Sequence, residues 1–326
     1  MVISVEHLTK YYKVYEKEPG FIGSLKSLVS RKYYNAKAVD DISFQIKEGE
    51  LVGFIGPNGA GKTTTLKCLS GLLYPTGGSV EVLGFTPYER KTQFLKKIAL
   101  VMGQKNQLWW DLPAIESFQL NKEIYEIPHK QYKKTLEELT DLLEVKDVLG
   151  VQVRKLSLGQ RMKCELIAAL IHSPKVLFLD EPTIGLDVVM QKKLRDFIKT
   201  YNQKYKATII LTSHYMEDVR QLCDRVIIID HGKIGYDGRL EDIVKKYGTD
   251  KFLTIVFEKG VSQEAMKQFG QIKEFDPFKV TIAVNRQKAT SVAEKILSKY
   301  HVNDLNIEEP AIEDIIRDVF SAQRRS

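Results

Sequence analysis

Nine consecutive residues, Gly56-Pro57-Asn58-Gly59-Ala60-Gly61-Lys62-Thr63-Thr64, have the composition of a phosphate cradle. The glycines let backbone N–H groups converge on an anion, because Gly adopts φ > 0 without a Cβ clash. Lys62 would reach the β/γ-phosphates, and the Thr63 hydroxyl would ligate Mg²⁺. Chance places the pattern GxxxxGK[ST] in roughly one chain in a hundred of this length, so a Gly-rich turn opening a helix is the plain alternative. Leu179-Asp180-Glu181-Pro182 supplies paired acids behind an apolar run. Asp180 could bind Mg²⁺ through water, and Glu181 is placed to polarise an attacking water. Two solvated acids in a turn are the alternative, which the upstream phosphate loop disfavours. A lone histidine is structural or exposed by about four to one. His214, however, closes the buried run Leu211-Thr212-Ser213, which argues for a γ-phosphate contact. Gln104 closes a further apolar run in the same way. For Leu156-Ser157-Leu158-Gly159-Gln160-Arg161 two readings stand: a helix N-cap, or phosphate binding at that helix N-terminus.

Positioning these groups requires strands that end together. Leu51–Ile55 before the loop is a buried strand, and Thr65 onward is a helix whose dipole favours an anion. Ile98–Met102, Val176–Leu179 and Thr208–Thr212 are near-continuous apolar runs, as expected of parallel strands covered on both faces. Ligand sites of open α/β sheets lie outside the strands' carboxyl ends, so Gln104, Asp180 and His214 form one constellation. Residues 112–172 carry helical spacing, and strands alternating with helices predict an α/β sheet with parallel connections. Past Gly238 the character changes. Strands at 252–257, 279–284 and 302–307 with helices at 262–269, 288–299 and 311–320 predict a small separate α+β domain.

The 326 residues predict about two domains, with 43% hydrophobic and 28% charged residues typical of a soluble globular protein. No uncharged stretch is long enough to span a bilayer, and the N-terminus lacks the features of an export signal. Cys68, Cys164 and Cys223 are expected to be free core thiols in a reducing cytosol. The net charge of +7 suits nucleic acid, an anionic membrane face, an acidic partner or, most commonly, simple solubility, and no nucleic-acid-binding signature accompanies it. Residues 13–37 hold six Lys/Arg against two Glu, and Phe21, Leu25, Leu28 and Val29 recur at helical spacing. A short amphipathic helix on a membrane or membrane-protein surface and a helix packed on its own domain are equally supported.

Taken together, these stretches resemble the ATP-binding subunits of ABC transporters, over residues 1 to about 240. GPNGAGKTT looks like the Walker A, Gln104 the Q-loop glutamine, LSLGQ the signature and residues 176–181 the Walker B. Gly185-Leu186-Asp187 looks like the D-loop and His214 the switch histidine. The resemblance implies a P-loop NTPase cassette of residues 1–240, with a helical subdomain at about 105–172 and a basic insert at 13–37. An accessory domain of residues 241–326 would follow, with dimer packing as its expected role. By the family's Lys-x-Tyr pattern Tyr12 would stack on adenine, with Tyr11 adjacent. Leu158 departs from the commonest signature, while Ser157 and Gly159, which would contact the γ-phosphate, remain. Gln160 and Asp187 complete the nucleotide set. Thr63, Gln104 and Asp180 are the implied Mg²⁺ ligands.

The resemblance also implies two cassettes paired head to tail, each ATP held between one Walker A and the other signature, with hydrolysis through Glu181. GQKNQLWWDLP, LSLGQRMKCEL, DEPTIGLDVV and the ending Ile307–Asp314 are similar to the ABC-2 type exporter group. That implies a subunit held at the cytoplasmic face of the cell membrane by a separate ABC-2 type transmembrane permease, with residues 13–37 near lipid or permease. Trp109 and Trp110 are either core or anchors of the permease interface. The rival expectations are a soluble ABC ATPase acting on ribosome or nucleic acid and a regulatory nucleotide-binding module. The first usually carries tandem cassettes or a coiled coil. The second is disfavoured by Lys62, Glu181 and His214.

Overall fold

The computed structural model describes residues 1–15, 33–103, 105–247, 250–309 and 315 of the chain. Gln104 and the amphipathic stretch Phe21–Val29 lie outside the described residues, as does the helix expected at 311–320 apart from Ile315. The chain divides into two compact units, residues 1–238 and 239–326.

The first unit is built on two sheets. β1 (Ile3–Tyr15), β2 (Tyr33–Ile46) and β4 (Gly77–Val82) form an antiparallel sheet in the order β2-β1-β4. β1 and β2 extend into the basic insert at 13–37. Their arms run out to the pair Tyr15–Tyr33, so both ends of the basic insert are strand. The second sheet has the order β5-β6-β7-β3-β8-β9, with β3 (Leu51–Ile55), β5 (Ile98–Met102), β6 (Val176–Asp180), β7 (Thr208–Thr212), β8 (Arg225–Asp230) and β9 (Lys233–Arg239). Each ladder from β5 through β8 is parallel. Every residue of β6 and β7 is buried, which matches their unbroken apolar runs.

α1 (Lys62–Leu69) follows β3 and buries Leu66 and Leu69 between the two sheets. There they join Phe44, Phe54, Phe178, Ile210 and Ile227 in one core. Fully burying side chains of this size stabilises by about 1.5–3 kcal/mol each, which anchors the loop in front of α1 on a rigid base. After the short α2 (Thr92–Leu95), the expected helical region contains α3 (Ala114–Ile124), α4 (His129–Leu143) and α5 (Leu158–Leu170). α6 (Val188–Tyr205) and α7 (Met216–Leu222) connect β6 to β7 and β7 to β8. All three cysteines are free and buried, Cys68 on α1, Cys164 on α5 and Cys223 just after α7. Trp109 and Trp110 are 57% and 46% exposed, so the core reading of this pair fails.

The second unit contains α8 (Leu240–Tyr247), β10 (Asp250–Phe257), α9 (Gln263–Lys267), β11 (Gln271–Asp276), β12 (Lys279–Asn285), α10 (Ala289–Lys299) and β13 (Val302–Glu308). From β10 onward the order is βαββαβ, and the sheet order β11-β12-β10-β13 is antiparallel throughout. That is the ferredoxin-like split βαβ arrangement. Leu253, Ile255, Val280 and Ile282 pack with Met266, Ala293 and Ile296 from the helices into a core of its own. β11 is absent from the sequence expectation because five of its six residues are exposed, leaving no apolar alternation to detect.

Candidate functional site

The loop between β3 and α1 adopts a conformation that demands its glycines. Gly59 and Gly61 have φ of 78° and 110°, where an L side chain is strained. A Cβ at Gly61 would also lie 2.4 Å from the Ala38 carbonyl oxygen. Gly56 is equally confined, since a Cβ there would lie 2.1 Å from the Ile229 oxygen. Ala60 is buried, and Pro57, Asn58 and Thr64 complete the turn into the helix. Lys62 is 5% exposed and donates to the carbonyls of Gly56 (2.7 Å) and Pro57 (3.0 Å). Burial pushes its ammonium below the usual lysine range, and the nearby carboxylates of Glu181 and Asp180 oppose the shift.

The strand register assembles the rest. Asp180 pairs with Thr212 across the β6–β7 ladder, so the two side chains sit side by side at the carboxyl end of the sheet. The Thr212 hydroxyl donates to Asp180 Oδ1 at 2.6 Å, and the Thr63 hydroxyl donates to Asp180 Oδ2 at 2.8 Å. Thr212 therefore belongs to the site, although the sequence marks it only as the end of a strand. Glu181 follows with a left-handed φ of 55°, an uncommon conformation for a non-glycine residue. Its N–H is held by both the carbonyl and the hydroxyl of Thr212, each at 3.1 Å. The turn delivers its carboxylate Oε1 to within 2.6 Å of His214 Nε2. Lys62, Thr63, Asp180, Glu181 and His214 are thus brought to one edge.

Gln104 lies outside the described residues, but its neighbour is fixed. The Gly103 N–H donates to the Asp180 carbonyl at 2.9 Å, and a Cβ on Gly103 would meet the Glu181 oxygen at 2.1 Å. Only glycine allows these two backbones to approach so closely.

Ser157, Gly159, Gln160 and Asp187 form a second cluster on the N-termini of α5 and α6. Ser157 caps α5 in a reciprocal box: its hydroxyl accepts from the Gln160 N–H, and the Gln160 side chain accepts from the Ser157 N–H. The N-cap reading of this serine is therefore realised. Asp187 caps α6 by accepting from the Met190 N–H at 2.9 Å. Gly159 is packed so closely that a Cβ would lie 2.8 Å from Met190 Cε, which ties α5 to α6. Of the two adjacent tyrosines, Tyr11 donates its hydroxyl to Asp40 at 2.6 Å, whereas the ring of Tyr12 is 38% exposed beneath the Lys10 ammonium.

Asp180 and Thr63 present only oxygen donors, which suits a hard divalent cation. Among the described residues no group of three or more His, Cys, Asp or Glu side chains could hold a metal without further ligands. A cation here would need phosphate oxygens or water to complete its shell. The arrangement can thus bind a polyphosphate on the loop and place an acid beside its terminal group.

Comparisons with known proteins place the chain in a family. Residues 39–184 match the ABC transporter family, and residues 249–308 match the EvrA-like ABC transporter C-terminal domain. An uncharacterized ABC transporter ATP-binding protein of Methanocaldococcus jannaschii is 31% identical over 94% of this chain and 98% of its own length. The chain belongs to the ABC transporter ATP-binding family. This ABC subunit is an ATPase, and subunits of its family act with a transmembrane permease and pair as dimers. A further relative is the linearmycin resistance ATP-binding protein LnrL of Bacillus subtilis, 29% identical over 87% of this chain and 94% of its length. Methionine import ATP-binding proteins also occur among the relatives. A dimeric ATP-binding cassette bound to ADP and Pi shares the fold, with TM-score 0.61 and 24% identity over 73% of this chain and 98% of that one. No described helix of the ABC subunit is long and apolar enough to cross a membrane.

Proposed function

We propose that this ATPase binds Mg²⁺-ATP on the Gly56–Thr64 loop, hydrolyses it through Glu181 and thereby drives a separate ABC-2 type export permease. The observation that carries the catalytic part is the cluster Thr63–Asp180–Thr212 with the Glu181–His214 contact at 2.6 Å. The loop N–H groups, the α1 N-terminus and Lys62 hold the β/γ-phosphates. Thr63 and Asp180, with Gln104 as the sequence implies, would hold Mg²⁺, which would supply neutralisation of the charge developing on the phosphates. Glu181 orients the attacking water and takes its proton, while His214 steadies that carboxylate and touches the γ-phosphate. Tyr12, whose ring is free of the Asp40 contact that engages Tyr11, stacks on adenine.

Ser157, Gly159 and Gln160 of one subunit, with Asp187 beside them, close over the nucleotide held by the other. Residues 1–240 serve as the cassette and residues 241–326 as an accessory domain that supports pairing. The exposed Trp109 and Trp110 contact the permease at the cytoplasmic face of the membrane. Residues 13–37 lie near that membrane or permease. Similarity to a resistance cassette and the sequence patterns after Gly103 support export over import.

Glu181→Gln tests the catalytic assignment. ATP binding should persist while hydrolysis falls by about 10²–10⁴-fold, the usual contribution of a positioned general base. Hydrolysis at the normal rate would remove Glu181 from the base's role. Co-purification with a polytopic membrane protein tests the permease partnership.

A further inference from the structure

A buried network outside the motifs links the two loops that carry Glu181 and His214. Asp218, on α7, is completely buried. Its Oδ2 accepts from the Thr183 hydroxyl at 2.5 Å and from the Ser213 hydroxyl at 2.7 Å. Its Oδ1 accepts from Arg195 Nη1 at 2.8 Å, and Arg195, 6% exposed, also donates Nε to Gln221 at 3.1 Å. Thr183 stands two residues after Glu181, and Ser213 stands immediately before His214. The Ser213 hydroxyl oxygen also accepts from the Tyr215 N–H at 3.0 Å, so the backbone on both sides of His214 is tied to one atom.

Stability alone does not account for this arrangement. A buried ion pair is often no more stabilising than apolar residues of the same volume, because desolvation offsets the attraction. The specific feature is that a single carboxylate oxygen serves hydroxyls from two different loops. Two short hydrogen bonds to one oxygen cap how far apart the two donors can stand, and the lone-pair directions of that oxygen favour one angle between them. We propose that Asp218 is the positioning residue that sets the separation of Glu181 and His214, acting through Thr183 and Ser213 with Arg195 neutralising its charge. The proposal rests on the roles given above to Glu181 and His214. Among the described residues none of these groups is hydrogen-bonded to the Gly56–Thr64 loop, so this latch should govern the hydrolytic step and leave nucleotide affinity alone.

Steady-state ATPase assays on the full chain separate a latch from packing by two substitutions at Thr183. Thr183→Val keeps the shape and removes the hydroxyl. Thr183→Ser keeps the hydroxyl and removes a methyl. A latch predicts that Thr183→Val lowers kcat by about tenfold or more, since misplacement by an ångström can cost about 10²-fold, with KM for ATP within about twofold. Thr183→Ser should keep kcat within about threefold, because the hydrogen bond survives. A packing role predicts the reverse order. If Thr183→Val keeps kcat within about twofold, or loses less than Thr183→Ser, the proposal is overturned. Should Thr183→Val fail to fold, Ser213→Ala carries the same test, a kcat loss at constant KM supporting the latch and an unchanged kcat removing it. A normal rate in Glu181→Gln would instead indict the base assignment, which keeps the two failures distinct.

Discussion

Gly103 decides how near the end of β5 can stand to the acidic pair, because its missing side chain leaves room for the Glu181 carbonyl. A Cβ there would sit 2.1 Å from that oxygen, and the obstacle is backbone that cannot rotate aside. Gly103→Ala should therefore push the Glu181 turn away from the Thr212 bonds that hold it. We expect a loss of stability of about 1–3 kcal/mol, as for other overpacked sites, measured by denaturant unfolding. ATPase activity should fall with it. An unperturbed variant would show that the two backbones can separate without cost. At this scale the sequence is uneven. Lys62, Thr63 and Asp180 are legible because their signals are local: a glycine spacing, or acids ending an apolar run. Gly103, Thr183, Thr212 and Asp218 are not. Their importance arises only in the folded chain: β6 beside β7 brings residue 180 to residue 212, β5 beside β6 brings Gly103 to Asp180, and α7 brings Asp218 to Thr183. Glu181 was legible by position, but its left-handed φ was not, since nothing in its type announces it.

Among the elements, α5 does more than present Ser157 at its N-terminus. Glu165, 3% exposed on that helix, accepts the backbone N–H groups of Gln107 (2.9 Å) and Leu108 (3.2 Å). It thereby clamps the segment leading to Trp109 and Trp110. Burial pushes its carboxyl above the usual range, and the two backbone N–H groups and Arg161 oppose this only in part. A raised folded pKa means that the native state binds the proton more tightly than the unfolded chain. The associated stability is fully present below the ordinary carboxyl range and is lost as pH rises through the folded pKa. Wild-type protein should therefore lose its thermal advantage over Glu165→Gln as pH climbs through the usual carboxyl range and above it. An advantage that grows with pH would mean that the N–H groups outweigh burial. Element prediction succeeded where a strand was buried on both faces and failed on ribbons. The arms of β1 and β2, Tyr12–Tyr15 and Tyr33–Ala36, mix aromatic, polar and small residues with little burial, so neither period stands out.

At the scale of the whole molecule, two cores are built from separate stretches of chain. Phe54, Phe178 and Ile227 belong to one, Leu253, Ile282 and Ile296 to the other. A chain ending at Arg239 should consequently retain a single cooperative thermal transition and bind ATP, monitored by circular dichroism and nucleotide titration. Loss of that transition would show that the first core depends on the second unit. The change in character past Gly238 was visible because the chain gives up long apolar runs for short alternating strands. The ferredoxin-like order was not visible, since it depends on β11, whose exposed charges conceal it.

The three cysteines give the chain a set of internal clocks. Burial pushes the Cys68 thiol up to about 11, the Cys164 thiol up to about 12 and the Cys223 thiol higher still. Since the thiolate is the reacting form, none can be alkylated at neutral pH while its surroundings stay closed. Modification then proceeds only as fast as local opening permits. Cys68 rides on α1, the helix after the glycine loop, and Cys164 on α5, the helix that Ser157 caps. Cys223 lies beside the strand that leads into the loop, its sulfur 3.4 Å from where a Gly53 Cβ would be. Their separate labelling rates would time the breathing of three walls around one site, with no probe added to the protein.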